Sequence, residues 1–201
     1  MIGIIDYGMG NLASVKNAFE SRSIDGVEIV SDAAGIEQSK KLVLPGVGAF
    51  EDAMKNLRAA GLVKPIMESI RAGKPFLGIC LGYQLLFERS FENGKFEGLG
   101  VFAGDVVRFD VKLPVPHMGW NTADFLKPEG VFDGYGRNVY FYFDHAYYPV
   151  VKDPSIIAAK TSYGVEFVSA VVCGNVSGAQ FHPEKSHNNG LTLIDRFGRL
   201  S

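Results

Sequence analysis

Cys80 stands between two glycines in the stretch GKPFLGICLGYQLLFE, residues 73–88. A thiol framed as G-x-C-x-G has the form of a nucleophile elbow, with sulfur in place of the hydroxyl oxygen of G-x-S-x-G. The chemistry such a group performs is attack on an acyl carbon. The nucleophile occupies a sharp strand-to-helix corner, where neighbouring side chains would clash, and Gly78 and Gly82 remove them. The start of the next helix carries partial positive charge that favours a thiolate. The backbone N–H of Leu81 faces the place where an oxyanion would develop. The alternative is a buried structural cysteine in a glycine-rich turn. Cys173 is the internal comparison: it lies in the strand pattern SAVVCGN with no elbow and reads as a structural thiol.

A thiol nucleophile needs a base, and the base needs an orienting partner. Among His117, His145, His182 and His187, His182 stands out in AQFHPEKS. His182 and Glu184 are two apart and project to the same side of an extended segment. Pro183 between them disfavours helix. Glu184 is placed to hold the imidazole tautomer and stabilise its charged form, the logic of a Ser-His-Asp triad. The plainer alternative is a loop histidine beside an unrelated surface carboxylate. A second oxyanion donor is also required, and LVLPGVGAF offers one: Pro45 ends a strand, and Gly46 and Gly48 make the following backbone adaptable and approachable.

These residues need elements to position them. In the first half, MIGIID, VEIV, KLVLPG and KPFLGIC read as short apolar strands. They alternate with helical patterns: Leu12, Val15, Ala18 and Phe19, then AFEDAMKNLRAAG, then LVKPIMESIRAG. GYQLLFE reads as the start of another helix. Such alternation predicts a flavodoxin-like α/β fold, a central mostly parallel sheet with helices on both faces. In the second half, VFAGDVVRF, NVYFYF, SIIAAKT, VEFVSAVV and NVSGAQF predict additional antiparallel strands, followed by a closing helix carrying Leu191, Ile194 and Phe197. No linker composition interrupts the chain, so a single domain over residues 1–201 is expected.

Bulk properties narrow the function classes. The 201 residues are 47% hydrophobic and 21% charged with a net charge of -2, which gives no basic surface for nucleic acid. No apolar run reaches the roughly 18 residues of a membrane span. The start lacks a secretory pattern, so a cytoplasmic protein with reduced thiols is expected. The cysteine spacing suggests no metal site, and no cofactor is expected. DYGMGNLAS contains G-x-G-x-x-A after a strand, with Glu28 further on, which mimics a dinucleotide fingerprint. Asp6 and Tyr7 would face and crowd a pyrophosphate there. A tight structural turn or a loop facing partner or substrate remains open beside nucleotide binding.

With Cys80, His182 and Glu184 in this pattern, the chain resembles the class I (triad) glutamine amidotransferases over nearly its whole length. More narrowly, IIDYGMGNL, LPGVGAF, GICLGYQLLFE, PHMGWN and QFHPEKS resemble the glutaminase subunits of imidazole glycerol phosphate synthases of histidine biosynthesis. The resemblance implies glutamine hydrolysis through a cysteinyl thioester, with oxyanion donors at Gly48 and Leu81. It implies glutamine binding near Gly46, Gln84, Glu92, His145, Ala146 and Tyr147. It also implies a heterodimer with a (β/α)8-barrel cyclase subunit that receives ammonia, with Asn11, Trp120 and Lys185 near the interface. Tyr83, Asp144 and Ala146 depart from the family's usual residues. A pyridoxal phosphate synthase glutaminase would carry G-G-E-S-T and a papain-like protease C-G-S-C-W, and neither occurs.

Overall fold

Four consecutive buried residues open the chain. Ile2–Ile5 form strand β1 with no exposed position, as a strand covered on both faces requires. A computed structural model describes residues 1–200. After β1 come helix α1 (Leu12–Glu20), strand β2 (Val27–Val30), helix α2 (Ala33–Gln38), strand β3 (Lys41–Leu44), helices α3 (Phe50–Ala59) and α4 (Val63–Arg71), strand β4 (Phe76–Ile79) and helix α5 (Leu81–Gln84). The second half contains strands β5 (Phe87–Ser90), β6 (Phe96–Glu97), β7 (Phe102–Arg108), β8 (His117–Phe125), β9 (Val139–His145), β10 (Tyr147–Val151), β11 (Ile157–Ser162), β12 (Glu166–Cys173) and β13 (Val176–Ala179), then helix α6 (His187–Arg199).

A nine-stranded sheet runs β2-β1-β3-β4-β13-β12-β11-β8-β9, and a four-stranded sheet runs β10-β7-β5-β6. The first five strands of the large sheet pair in parallel, and the rest pair antiparallel. The expected α/β architecture with later antiparallel strands is therefore the one observed. Alternation along each strand feeds two apolar clusters. Ile4, Val43 and Leu77 point to the cluster that also holds Phe19 of α1 and Phe197 of α6. Ile5, Leu42, Leu44 and Phe76 point to the cluster under α3 and α4. A period of two on the strands and an apolar stripe on each helix account for both layers.

Three local expectations are corrected. The helix expected to continue through GYQLLFE ends after one turn at Gln84. Leu85, Leu86 and Phe87 are all fully buried, and an apolar run without a polar face suits a buried strand better than an amphipathic helix. Strand β8 was not expected, because Gly119 and Asn121 interrupt its pattern, and Gly119 takes a φ of 124°. Strand β10 was not expected either, because Pro149 argues against a strand. It forms an edge of the smaller sheet, where a missing N–H does no harm. None of the helices among the described residues is long and apolar enough to cross a membrane.

Candidate active site

Strands β3, β4 and β13 are parallel neighbours, so their carboxyl ends meet at one edge. Ligand sites of open α/β sheets form there. Pro45–Gly48 leave β3, Cys80 follows β4, and Gln180–Glu184 follow β13.

Cys80 holds φ 53° and ψ -107°, a conformation that costs a non-glycine residue on the order of 1–3 kcal/mol. Its N–H donates to the Ala179 carbonyl (2.8 Å), and its carbonyl accepts from Gln84 N–H (3.1 Å). The two framing glycines are required by contact. A Cβ on Gly78 would lie 2.8 Å from the Gly82 carbonyl oxygen, and one on Gly82 would overlap the Leu44 carbonyl. The helix after the corner has only four residues, so its dipole contributes less to a thiolate than a full helix would. The sulfur lies 3.8 Å from the Asp144 carbonyl and 3.8 Å from Gln180 Nε2.

Nδ1 of His182 and Oε1 of Glu184 are 2.8 Å apart, and each side chain is only 2% exposed. The pair is brought together by a single 3₁₀ turn over Pro183–Lys185, not by the extended segment expected from the two-residue spacing. A carboxylate only accepts, so Nδ1 carries the proton and donates to Glu184. Nε2 is buried and has no hydrogen-bond partner among the described residues. Burial opposes charge on this ring, but the nearby Cys80 sulfur and then Glu184 outweigh it and push His182 up to about 10. His182 is fixed behind: its N–H donates to the Tyr142 carbonyl (2.9 Å), and Ser186 Oγ donates to its carbonyl (2.6 Å).

A cleft of about 230 Å³ opens at Cys80 and is lined by Gly48, Leu81, Gln84, Glu92 and Asp144–Tyr147. Of the residues expected to contact glutamine, Gly46 is behind this wall, where a Cβ would press on Leu81 and the Tyr7 hydroxyl. The Gly46 carbonyl accepts from Leu81 N–H over a long 3.4 Å. Gly48 adopts φ 101°. Tyr7 donates to the Pro45 carbonyl (3.0 Å), which ties the DYGMGN turn to the segment after β3. Glu92 lies in the cleft and accepts the Phe50 N–H at 2.7 Å, capping α3.

His145 lines the cleft. Its ring enters a buried chain in which Nδ1 donates to the Tyr147 carbonyl (2.8 Å) and Nε2 accepts from His117 Nδ1 (3.0 Å). His117 Nε2 in turn accepts from Asn121 Nδ2 (3.1 Å). Each ring is thereby neutral with one defined tautomer. Burial pushes His145 down to about 3 and His117 down to about 4. Their folded values lie below those of the unfolded chain. The unfolded state therefore binds protons first as pH falls, and stability present above pH ~6.5 is lost on acidification. We expect urea-unfolding free energy to fall by about 3 kcal/mol between pH 6.5 and pH 5, at about 1.4 kcal/mol per unit for each titrating group. A flat profile over that window would contradict the tautomer chain.

Of the remaining expected positions, Trp120 and Lys185 both adjoin the Tyr142 ring. Trp120 is 47% exposed rather than a core aromatic, and Met118 and Tyr140 are 61% and 57% exposed. Trp120 stacks on His187 with centroids 5.1 Å apart, and Lys185 Nζ lies 5.5 Å from the centre of the Tyr142 ring. Asn11 caps α1, accepting from Ser14 N–H. Sequence reasoning missed Gln180, which is fully buried, and the ring partners His117 and Asn121. Gln180 is the first residue of the QFHPEKS stretch but was assigned no role there, while no spacing pointed to the other two.

The family description "Glutamine amidotransferase class-I" matches residues 3–198. The imidazole glycerol phosphate synthase subunit HisH of Rhodopirellula baltica is 51% identical over 199 residues, covering 98% of this chain and 96% of that protein. The subunit of the same name from Aquifex aeolicus is 47% identical over 196 residues, covering 98% and 95%. Among solved structures, a glutamine amidotransferase superposes with a TM-score of 0.72 at 21% identity, covering 96% of this chain and 98% of that one, which speaks to fold alone. The chain belongs to the class-I glutamine amidotransferases, and within them to the family of imidazole glycerol phosphate synthase HisH subunits.

Proposed function

We propose that this protein is a glutaminase, one domain over residues 1–201 acting in the cytoplasm, that supplies ammonia to a cyclase subunit in histidine biosynthesis. Cys80 attacks the carboxamide carbon of glutamine, and its proton passes to His182 Nε2. Glu184 holds the opposite ring nitrogen and stabilises the imidazolium. The oxyanion of the tetrahedral intermediate is met by the N–H groups of Leu81 and Gly48. His182 then protonates the departing ammonia, leaving a glutamyl thioester on Cys80. Water, deprotonated by His182, releases glutamate and restores the thiol.

Glutamine lies along Gln84, Glu92 and the backbone of His145, Ala146 and Tyr147, with Gly46 shaping the wall behind. The carboxylate of Glu92 takes the α-ammonium group. Gln84 Nε2 already donates to the Tyr147 carbonyl, so its oxygen is the end that faces substrate, and that end suits an ammonium. Leu81 N–H is engaged by the Gly46 carbonyl at rest, so turnover requires the Pro45–Gly48 segment to shift. A partner bound on the face of Asn11, Trp120 and Lys185 is placed to drive that shift. The partner is a (β/α)8-barrel cyclase that combines ammonia with a phosphorylated ribulosyl nucleotide, giving imidazole glycerol phosphate and aminoimidazole carboxamide ribotide.

The observation that supports this reading is a thiol at the wall of a cleft of amino-acid size, with a buried, carboxylate-bound imidazole near enough for the sulfur to raise it. The test is glutamate release with the cyclase and its nucleotide ligand present. We expect turnover in the complex and at most a trace from the isolated chain. No glutamate from a well-formed complex would end the proposal.

A further inference from the structure

Gln180 is a neutral amide with no exposure, placed between two functional side chains, and its orientation is fixed by its neighbours. The Tyr147 carbonyl can only accept, so the Gln84 atom 2.9 Å from it is Nε2. That nitrogen also donates to Gln180 at 3.1 Å, which identifies the receiving atom as Oε1. The other end of the amide, Nε2–H, therefore points at the Cys80 sulfur, 3.8 Å away. The backbone holds the residue there, because Gln180 N–H donates to the Ser169 carbonyl at 2.9 Å.

Beside the His182 imidazolium, whose charge the sulfur itself favours, the sulfur has few other sources of stabilisation as an anion. The helix behind it is a single turn. Leu81 N–H is turned to the Gly46 carbonyl. The Asp144 carbonyl, 3.8 Å from the sulfur, is an acceptor and favours the protonated thiol. Gln180 Nε2–H is the donor that opposes it.

We infer that Gln180 acts on the nucleophile directly, as a fixed amide donor that favours and orients the Cys80 thiolate. When the thiol proton passes to His182 Nε2, the Asp144 carbonyl loses its donor and the Gln180 contact becomes charge-assisted, hence shorter and stronger. Gln84 completes the relay. Substrate drawn to its free oxygen restrains the same amide that points Gln180 at the sulfur, so substrate arrival and thiolate orientation are linked through two side chains.

The inference rests on Cys80 being the nucleophile, and its test reads the thiol itself rather than glutamine turnover. Cys173 is an exposed free thiol, so the full chain is prepared with Cys173→Ala and the rate of iodoacetamide alkylation of Cys80 is followed against pH. Gln180→Met keeps the volume and removes the donor. We expect its alkylation midpoint to rise by about one pH unit, about tenfold less thiolate near neutral pH, because hydrogen bonds to charged groups are worth about one such unit or more. Gln180→Glu places an acceptor against the sulfur, and its midpoint rises further. A midpoint in Gln180→Met equal to that of the parent overturns the inference. A measurement on the unaltered side chain covers the case in which the variants fail to fold. The side-chain amide proton resonance of Gln180 is expected to move with the titration of Cys80 and to lose that movement in Cys80→Ala. An amide signal indifferent to the thiol also overturns the inference. Either failure leaves glutamine hydrolysis by Cys80 standing, whereas loss of hydrolysis with the thiol shift intact removes only the glutaminase reading.

Discussion

Replacing Cys80 with alanine is expected to lower glutamate release by at least about 10⁴-fold while leaving the fold and the cyclase complex intact. The size of the loss follows from the chemistry: without the sulfur no covalent intermediate forms, and removing the nucleophile of a triad costs orders of magnitude more than removing a binding contact. The intact fold follows from the contacts. Alanine keeps the Cβ in the strained corner, and the glycines on either side are untouched. The sulfur gives up only two long contacts of 3.8 Å, to the Asp144 carbonyl and Gln180. Melting temperature and co-elution with the cyclase check the fold. Product formation from added ammonium salt checks that the partner still works. A second signature accompanies the loss. The sulfur is the largest influence raising His182, so its removal lets burial pull the imidazole back down, which NMR titration of the ring would detect. Residual turnover within about tenfold of the parent would remove Cys80 from the mechanism.

Sequence legibility divides along physical lines. The elbow was readable because its glycines answer to local backbone geometry, and local geometry leaves a mark within five residues. The His182–Glu184 pairing was readable from spacing, although a 3₁₀ turn rather than an extended backbone produces it. The parallel strands were readable because burial on both faces forces continuous apolar runs. Gln180, His117 and Asn121 were not readable as a network, because each depends on a partner from a distant element. Gln180 meets Gln84 across 96 residues, and His117 meets His145 across the β8–β9 pair. Strand β8 escaped notice for a related reason. Its outward positions, Met118 and Trp120, are exposed and apolar, and Gly119 lies between them, so alternation between polar and apolar does not mark it.

The corner itself supports a prediction whose sign is unusual. Gly82 lies inside a helical turn, where intrinsic propensity favours alanine over glycine by about 1 kcal/mol. Propensity alone thus makes Gly82→Ala stabilising. The structure requires the reverse: the new Cβ would overlap the Leu44 carbonyl, with the Leu44 carbonyl carbon close behind it. These are backbone atoms at the end of β3, which pairs with β4 through Leu44 and Gly78. Neither strand can shift without disturbing the sheet or the Pro45–Gly48 segment that follows. We expect a loss of about 3 kcal/mol or more in unfolding free energy, at the upper end for overpacking. We also expect glutaminase turnover to fall by about 10²-fold or more in whatever fraction folds, because displacing β3 moves Gly48 relative to Leu81. Gly61→Ala is the matched control. Gly61 has φ 69°, but open space surrounds its missing Cβ, so only the conformational term of about 1 kcal/mol applies, far from the cleft and without effect on turnover. Urea unfolding of the two variants side by side, with glutamate release measured in the cyclase complex, separates the contributions. A Gly82→Ala protein as stable as its parent would mean that the elbow does not press against β3, and the placement of the oxyanion donors would have to be drawn again.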